Sequence, residues 1–321
     1  MRRGIVGALV GSFALAVGLG EPATSSGAGA PVAGVVAWNG VADTETRYAA
    51  LDAGEGTMLV RISRDSGDIV RHRYVDEQFA IPAVADDGSG GGLSADGDTL
   101  VLTQPGLRLR RSTTRLAVLD AQRLAIVDRI KFDGAVSFDA ISPDGARLYV
   151  INYLSRRDPT KYEVRAYNLD RGRLLAEPIV DPEEAGDQMY GWAVTRANSP
   201  DGRWAYTLYQ GREEDFIHAL DTERGRAVCI DLDELEAKVW RLDMSSSPDG
   251  RTLELTQDGK REAVVDTETF EVSYPGDAAA SAAPAPGNDD GRGWILGAVV
   301  GGIAVLLTGL LVRRRRAAAA T

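Results

Sequence analysis

ISPDGARLYVIN (residues 141–152) and SSPDGRTLELTQ (residues 246–257) put the same tetrapeptide ahead of the same kind of segment, far apart in one chain. Two more copies complete a series: Ser94-Ala95-Asp96-Gly97, Ser142-Pro143-Asp144-Gly145, Ser199-Pro200-Asp201-Gly202 and Ser247-Pro248-Asp249-Gly250, at intervals of 48, 57 and 48. The residues are those of a tight turn. Pro presets φ at the second position, Asp bonds local backbone at the third, and Gly accepts the left-handed conformation at the fourth. After each turn comes a segment of period-2 alternation, TLVLTQ, RLYVINY, WAYTLYQ or TLELTQ, which reads as a strand.

A second signature follows one hairpin later: LVRISRDSGDIV, RLAVLDAQRLAIV, EVRAYNLDRGRLL, FIHALDTERGRAV and EAVVDTETFEV. Each is strand, polar turn, strand, with Ser63, Asp120, Asn168, Asp221 and Asp266 in matching places. The repeating unit is therefore a small four-stranded antiparallel sheet. No period of 3.6 residues persists in 31–276, so the expected fold is all-β. Such sheets stacked about an axis make a β-propeller, which protects strand edges by radial packing. The expectation is about five four-stranded antiparallel blades.

The unit resembles the YVTN-type propeller repeat, through Tyr149-Val150-Ile151-Asn152 after its turn, and the PD40 blades of TolB-like proteins. The resemblance covers most of 57–274 and implies the fold. It also brings in propeller lactonases and hydrolases among the relatives, but it implies no particular activity, because the shared residues are turn and core residues. The first two strands of the first blade fall to Val32–Trp38 and Arg47–Leu51. Alternatively, Val32–Trp38 pairs with the last blade and closes the ring, or the ring stays open and closes on another chain.

The ends of the chain point to export and anchoring. Met1-Arg2-Arg3 precedes an uncharged run from Gly4 to Gly20, so residues 1–30 read as a signal peptide, with an uncleaved anchor as the alternative. Trp294–Val312 is nineteen residues without a charge, enough helix for a hydrocarbon core of about 30 Å. Arg313, Arg314, Arg315 and Arg316 follow at once and mark the cytoplasmic side, with Trp294 as the interfacial aromatic. The expected organisation is a propeller at 31–276 outside the cell, an Ala/Pro/Gly-rich stalk at 277–293, a membrane helix at 294–312 and a short tail at 313–321. Gly293, Gly297 and Gly301 share a helix stripe through which two anchors could pair as a homodimer.

Chemistry is sparse. Without Arg2, Arg3 and the four terminal arginines the chain holds 30 basic against 47 acidic residues, a surface that repels phosphate backbones, so nucleic acid is not an expected partner. One cysteine, Cys229, permits no internal disulfide, and it reads as a small buried strand residue. No nucleophile elbow, zinc-protease, P-loop or dinucleotide signature occurs; no catalytic residue, metal or cofactor is expected. His72 and His218 read as strand residues.

In a propeller the 1–2 and 3–4 turns share one face, and the 2–3 loops share the other with the blade-to-blade connections. The second face varies most here, so binding is expected there. Its connections carry Asp86, Asp87, Asp181, Glu183, Glu184, Asp187, Asp231, Asp233, Glu234 and Glu236, an acidic inner rim that would draw cations or basic groups. Equally, such loops keep a secreted surface soluble. Trp192 and Trp240 each stand seven residues before the Ser of their turn, as if in equivalent places early in two innermost strands. With Asp187 and Glu236 they form the candidate ligand site, although large rings there also fill space between blades. The expected function is a membrane-tethered extracytoplasmic scaffold that binds a protein, peptide or envelope component. The alternative is a lactonase- or hydrolase-like enzyme with carboxylates or a metal at the channel mouth.

Overall fold

The computed structural model describes residues 40–275, apart from 107, 185–189 and 213. The signal peptide, stalk, membrane helix and tail expected at 1–30, 277–293, 294–312 and 313–321 lie outside the described residues, as do Gly293, Trp294, Gly297, Gly301 and Arg313–Arg316. Among the described residues no helix is long and apolar enough to cross a membrane.

The described chain is all-β, with only two single-turn 3-10 segments, Pro182–Glu184 and Val239–Arg241. Sheet 1 holds β1 (Val41–Ala42), β2 (Thr46–Ala53), β3 (Gly56–Ser63) and β4 (Ile69–Val75). Sheet 2 holds β5 (Thr99–Thr103), β6 (Thr113–Asp120) and β7 (Ala125–Asp133). Sheet 3 holds β8 (Val136–Ile141), β9 (Arg147–Tyr153), β10 (Tyr162–Asn168) and β11 (Arg173–Ile179). Sheet 4 holds β12 (Trp192–Asn198), β13 (Trp204–Gln210), β14 (Phe216–Asp221) and β15 (Arg226–Asp231). Sheet 5 holds β16 (Asp243–Ser246), β17 (Thr252–Gln257), β18 (Lys260–Asp266) and β19 (Val272–Ser273). Strands in every sheet run in chain order and pair antiparallel, as blades of a β-propeller do.

Two details depart from the sequence reading. The first strand of sheet 1 is Val41–Ala42, while Val32–Trp38 lie outside the described residues. Sheet 2 has three strands rather than four, because its innermost segment makes only isolated bridges, Ala80↔Thr103 and Leu93↔Leu100. That segment contains Pro82, which has no N–H for a ladder, and Gly92, whose φ of +100° breaks the extended run.

The repeated turn closes the first hairpin of sheets 2–5 with one network. Each Ser Oγ (Ser94, Ser142, Ser199, Ser247) accepts from the backbone N–H five residues on, at 2.8–3.0 Å. The same hydroxyl donates to the Asp two residues on, at 2.5–2.7 Å. That carboxylate in turn accepts the N–H two residues beyond it, at 3.0–3.2 Å. The serine bond holds the Asp144 and Asp249 carboxyls below the usual carboxylate range. In the fourth place Gly97, Gly145, Gly202 and Gly250 all have φ between +69° and +74°.

The second hairpin has its own clasp. Asp120, Asn168, Asp221 and Asp266 accept the N–H three residues on at 2.7–3.0 Å, and Ser63 does so at 3.4 Å. One residue later Gly67, Gly172 and Gly225 are left-handed, but Leu124 (φ 52°) and Phe270 (φ 60°) take that place in sheets 2 and 5. Both rings or chains are spent on packing: Leu124 is buried between sheets 1 and 2, and Phe270 meets Trp204 edge-on at 5.4 Å.

Apolar clusters join neighbouring sheets. Tyr48, Leu59, Leu100 and Leu119 connect sheets 1 and 2; Val101, Val136, Phe138 and Leu148 connect 2 and 3. Ala140, Tyr149, Ala205 and Leu220 connect 3 and 4; Leu208, Ile217, Leu253 and Leu255 connect 4 and 5. Each large side chain buried this way contributes roughly 1.5–3 kcal/mol. Among the described residues no such cluster spans sheets 1 and 5, and no ladder closes the ring.

The crowding of the turns differs. A Cβ on Gly202 would sit 2.5 Å from Ala95 Cβ, whereas one on Gly97 comes no closer than 3.6 Å to Asp43. Gly202→Ala is therefore expected to lower Tm clearly more than Gly97→Ala, which carries only the backbone strain of about 1 kcal/mol. Equal losses would show that contact between turns adds nothing.

Candidate functional site

The inner segments of sheets 1–4 enclose a cavity of about 400 Å³. Ala42 and Asp43 of sheet 1, Gly91 and Gly92 of sheet 2, Phe138 and Asp139 of sheet 3, and Arg196 and Asn198 of sheet 4 line it. Ser94, Ala95, Ser199 and Pro200 also line it, which places it on the side of the repeated turns. That is the face opposite the one on which binding is expected from the sequence.

At the other side the connection between sheets 1 and 2 reaches across to the inner strand of sheet 4. Asp86 N–H donates to Ala193 O at 3.0 Å and Asp87 N–H to Val194 O at 3.2 Å. Thr195 Oγ1 donates to the Asp87 carboxylate at 2.6 Å. The expected acidic rim thus begins with a clamp: the gap is narrow enough for one loop to bridge it. Burial, with Asp87 adjacent, raises the Asp86 carboxyl above the usual range. Gly91 lets the loop lie against sheet 3, since a Cβ there would stand 2.8 Å from both Phe138 and Val84.

Between sheets 3 and 4 the packing turns polar and aromatic. Arg196 donates from Nη2 to Asp139 Oδ1 and from Nη1 to Asp139 O, the latter at 3.2 Å. The two side chains are 5% and 3% exposed, and Arg196 Nε is buried without a partner. His218, in the middle of β14, is buried beside them with Nε2 unpartnered. Burial pushes its pKa down to about 4, against the pull of Asp139. Tyr209 stacks on Phe216 (5.3 Å) and Tyr162 (6.0 Å), and Tyr162 meets Tyr153 edge-on at 6.5 Å. Burial raises the Tyr153 and Tyr209 hydroxyls well above the ordinary tyrosine range.

The two tryptophans nominated from sequence take different settings. Trp192 opens β12 and is half-buried, but Trp240 lies in the 3-10 turn before β16 and is 58% exposed, its ring 5.6 Å from Lys238 Nζ. Equal spacing from the turn fails because the connection into sheet 5 coils where that into sheet 4 is already a strand. Glu236 is exposed on the same connection, and Asp187 lies outside the described residues. Asp181 is no channel-mouth acid: it accepts the N–H of Cys229, on the outer strand of sheet 4, at 2.8 Å. Cys229 itself is half-buried rather than buried, its thiol raised by desolvation and then by Glu184. Oxygens of Glu214, Asp231 and Asp233 lie within 4.8 Å of one another, a grouping able to hold a cation, at the end of β15 and away from the cavity lining. Sequence reasoning missed Asp139 and Arg196. Both sit in strands whose alternation does not mark them, and only the packing of sheets 3 and 4 pairs them.

No protein-family model matches the chain, and no curated protein matches it. Among solved structures it is similar to Kuenenia stuttgartiensis hydrazine synthase, at 16% identity over 70% of this chain and 74% of that one, with a TM-score of 0.41. A putative TolB from Agrobacterium tumefaciens aligns at 16% identity over 71% and 76%, TM-score 0.41. TolB from Acinetobacter baumannii aligns at 14% over 71% of this chain but only 56% of its own length, TM-score 0.34. At these values no activity or partner follows from the likeness.

Two outcomes follow from the buried polar groups. Arg196→Ala strands a buried carboxylate and should cost about 3–5 kcal/mol, whereas the double variant Arg196→Met/Asp139→Leu should recover most of that loss. A double variant no more stable than the single one would contradict this. Unfolded, an imidazole ionises near 6.5; folded, His218 does so at about 4. Between those values the unfolded chain binds more protons, so stability falls as pH drops through that window, by up to roughly 3 kcal/mol. Above the window this group has no effect. In a denaturation series from pH 7.5 to 4.5, His218→Gln should flatten the slope, and an unchanged slope would refute the assignment.

Proposed function

We propose that the chain is a membrane-tethered extracytoplasmic β-propeller that binds a protein or peptide segment in the cavity bounded by sheets 1–4. The observation that carries this reading is the lining: a space of about 400 Å³ walled by strand edges, glycines and small side chains, with charge confined to Asp43 and the Asp139–Arg196 pair. Strand edges offer backbone donors and acceptors to an extended segment, and small side chains leave room for its larger ones. The hydrolase reading would draw on Glu214, Asp231 and Asp233, but these carboxylates stand apart from the cavity.

The tether belongs to the same proposal and rests on sequence: an apolar helix at 294–312, Trp294 at its outer interface, Arg313–Arg316 on the cytoplasmic side. Export through residues 1–30 and anchor pairing through Gly293, Gly297 and Gly301 complete it. The kinship with YVTN-type and TolB-like repeats is part of this reading too, supported by the turn and strand pattern.

A photo-crosslinking residue at Asn198, exposed on the cavity wall, tests the proposal in intact cells. A discrete adduct with one protein or peptide is expected. Ala42→Trp, which fills the cavity from an exposed position, should abolish the adduct while leaving Tm unchanged. No adduct at Asn198, or one indifferent to Ala42→Trp, would overturn the reading.

A further inference from the structure

The face opposite the repeated turns carries its charge unevenly. On it the β5–β6 loop of sheet 2 meets the β9–β10 loop of sheet 3, where Arg156 Nη2 donates to Arg110 O at 3.0 Å. Arg108, Arg110, Arg156 and Arg157 are exposed on these two loops. Among the described residues none of the four is ion-paired, although arginines elsewhere are: Arg123 with Asp120, Arg129 with Glu77, Arg261 with Glu254. The first loop has no acid, and in the second Asp158 gives one oxygen to the N–H and hydroxyl of Thr160. Arg111 registers the crowding: burial, then Arg108 and Arg115, lower its guanidinium from the ordinary value.

The connection from β15 to β16 lies on the same face and has the opposite sign. Asp233, Glu234 and Glu236 are exposed along it. Carboxylate oxygens of Glu214, Asp231 and Asp233 gather within 4.8 Å of one another. Its two cations are engaged locally, for Lys238 Nζ stands 5.6 Å from the Trp240 ring and Arg241 pairs with Asp258 at 2.7 Å. The face therefore has a basic flank over sheets 2 and 3 and an acidic flank after sheet 4. Each flank holds one large exposed apolar side chain: Leu154 (52%), two residues before Arg156, and Trp240 (58%), four residues after Glu236.

This pattern discriminates among partners. An anionic bilayer or other extended polyanion laid on the face would lose on one flank what it gains on the other. A short acidic peptide would answer the arginines and leave Trp240 with its carboxylates in water. A second copy answers both. Turned about a two-fold axis lying in the face, it sets its acidic flank on the basic one and its basic flank on the acidic one, an isologous contact. The same rotation carries Leu154 of each copy toward Trp240 of the other, an apolar centre for each charged contact.

We infer that this face is a self-complementary docking surface for a second copy of the chain, with Arg110 and Arg157 of one copy against Glu234 and Glu236 of the other. The opposed clusters steer and orient the pair, while Leu154 and Trp240 supply desolvated contact. The cavity on the turn side stays open, so the contact stands whatever occupies it.

Charge reversal, followed by sedimentation of the full-length protein in detergent, tests the inference. The unaltered chain should dimerise with a Kd that rises with salt. Arg110→Glu/Arg157→Glu makes both flanks acidic, and Glu234→Arg/Glu236→Arg makes both basic. Each variant alone should dimerise at least about tenfold more weakly, with Tm unchanged. Mixed in equal amounts, the two should restore a dimer made of one copy of each. A monomeric unaltered chain, or a Kd indifferent to salt, would overturn the inference. So would a mixture no tighter than either variant alone. Reversed variants that dimerise as well as the unaltered chain would place the contact elsewhere, as pairing through Gly297 and Gly301 would, and would equally overturn it.

Discussion

The hydrogen-bond relay inside the repeated turn is the constraint on which the rest of the molecule depends. A four-stranded sheet this small must reverse the chain three times within a few residues each, and every reversal strands backbone groups that have to be satisfied. One serine hydroxyl settles two of them at once, by accepting the N–H at the head of the next strand and orienting the aspartate that accepts another. Because the relay is internal to each turn, sheets 2–5 are built alike despite little other sequence in common. Uniform hairpins then present matched apolar faces to their neighbours, and the four clusters between successive sheets follow.

Few sheets leave a small axis. Around it the inner segments come so near that the loop after sheet 1 clamps onto β12, and what remains is a pocket on the turn side. Keeping the pocket open requires small residues along the wall, and glycines 90–92 provide them. Keeping sheets 3 and 4 in register beside it falls to a buried ion pair, a neutral imidazole and stacked tyrosines together with the apolar cluster of Ala140, Tyr149, Ala205 and Leu220. That polar seam is costly to break, because a buried polar group left without its partner is penalised in a low-dielectric setting.

Turn chemistry was readable because it is local. The four SPDG-type turns and the Asp/Asn/Ser positions of the second hairpins could be placed without knowing any long-range contact, and each stands where the pattern put it. Whatever depends on distant parts of the chain was not readable. Asp139 and Arg196 are 57 positions apart and meet only through blade packing; Trp240 shares its spacing with Trp192 but not its setting; Asp181, Asp86 and Asp87 looked like a rim and proved to be fasteners. The inner segment of sheet 2 has the right length for a strand, yet Pro82 and its glycines forbid one. Leu124 and Phe270 show the reverse conflict, where packing overrides the preference for glycine.

The account places one identical relay in four sheets, and amide hydrogen exchange reads it directly. The N–H groups of Thr99, Arg147, Trp204 and Thr252, each donated to a turn serine, should exchange slowly and at similar rates in the intact protein. Ser142→Ala should release Arg147 alone. Rapid exchange at these four amides, comparable with that of an exposed loop residue such as Gly106, would contradict the account at its root.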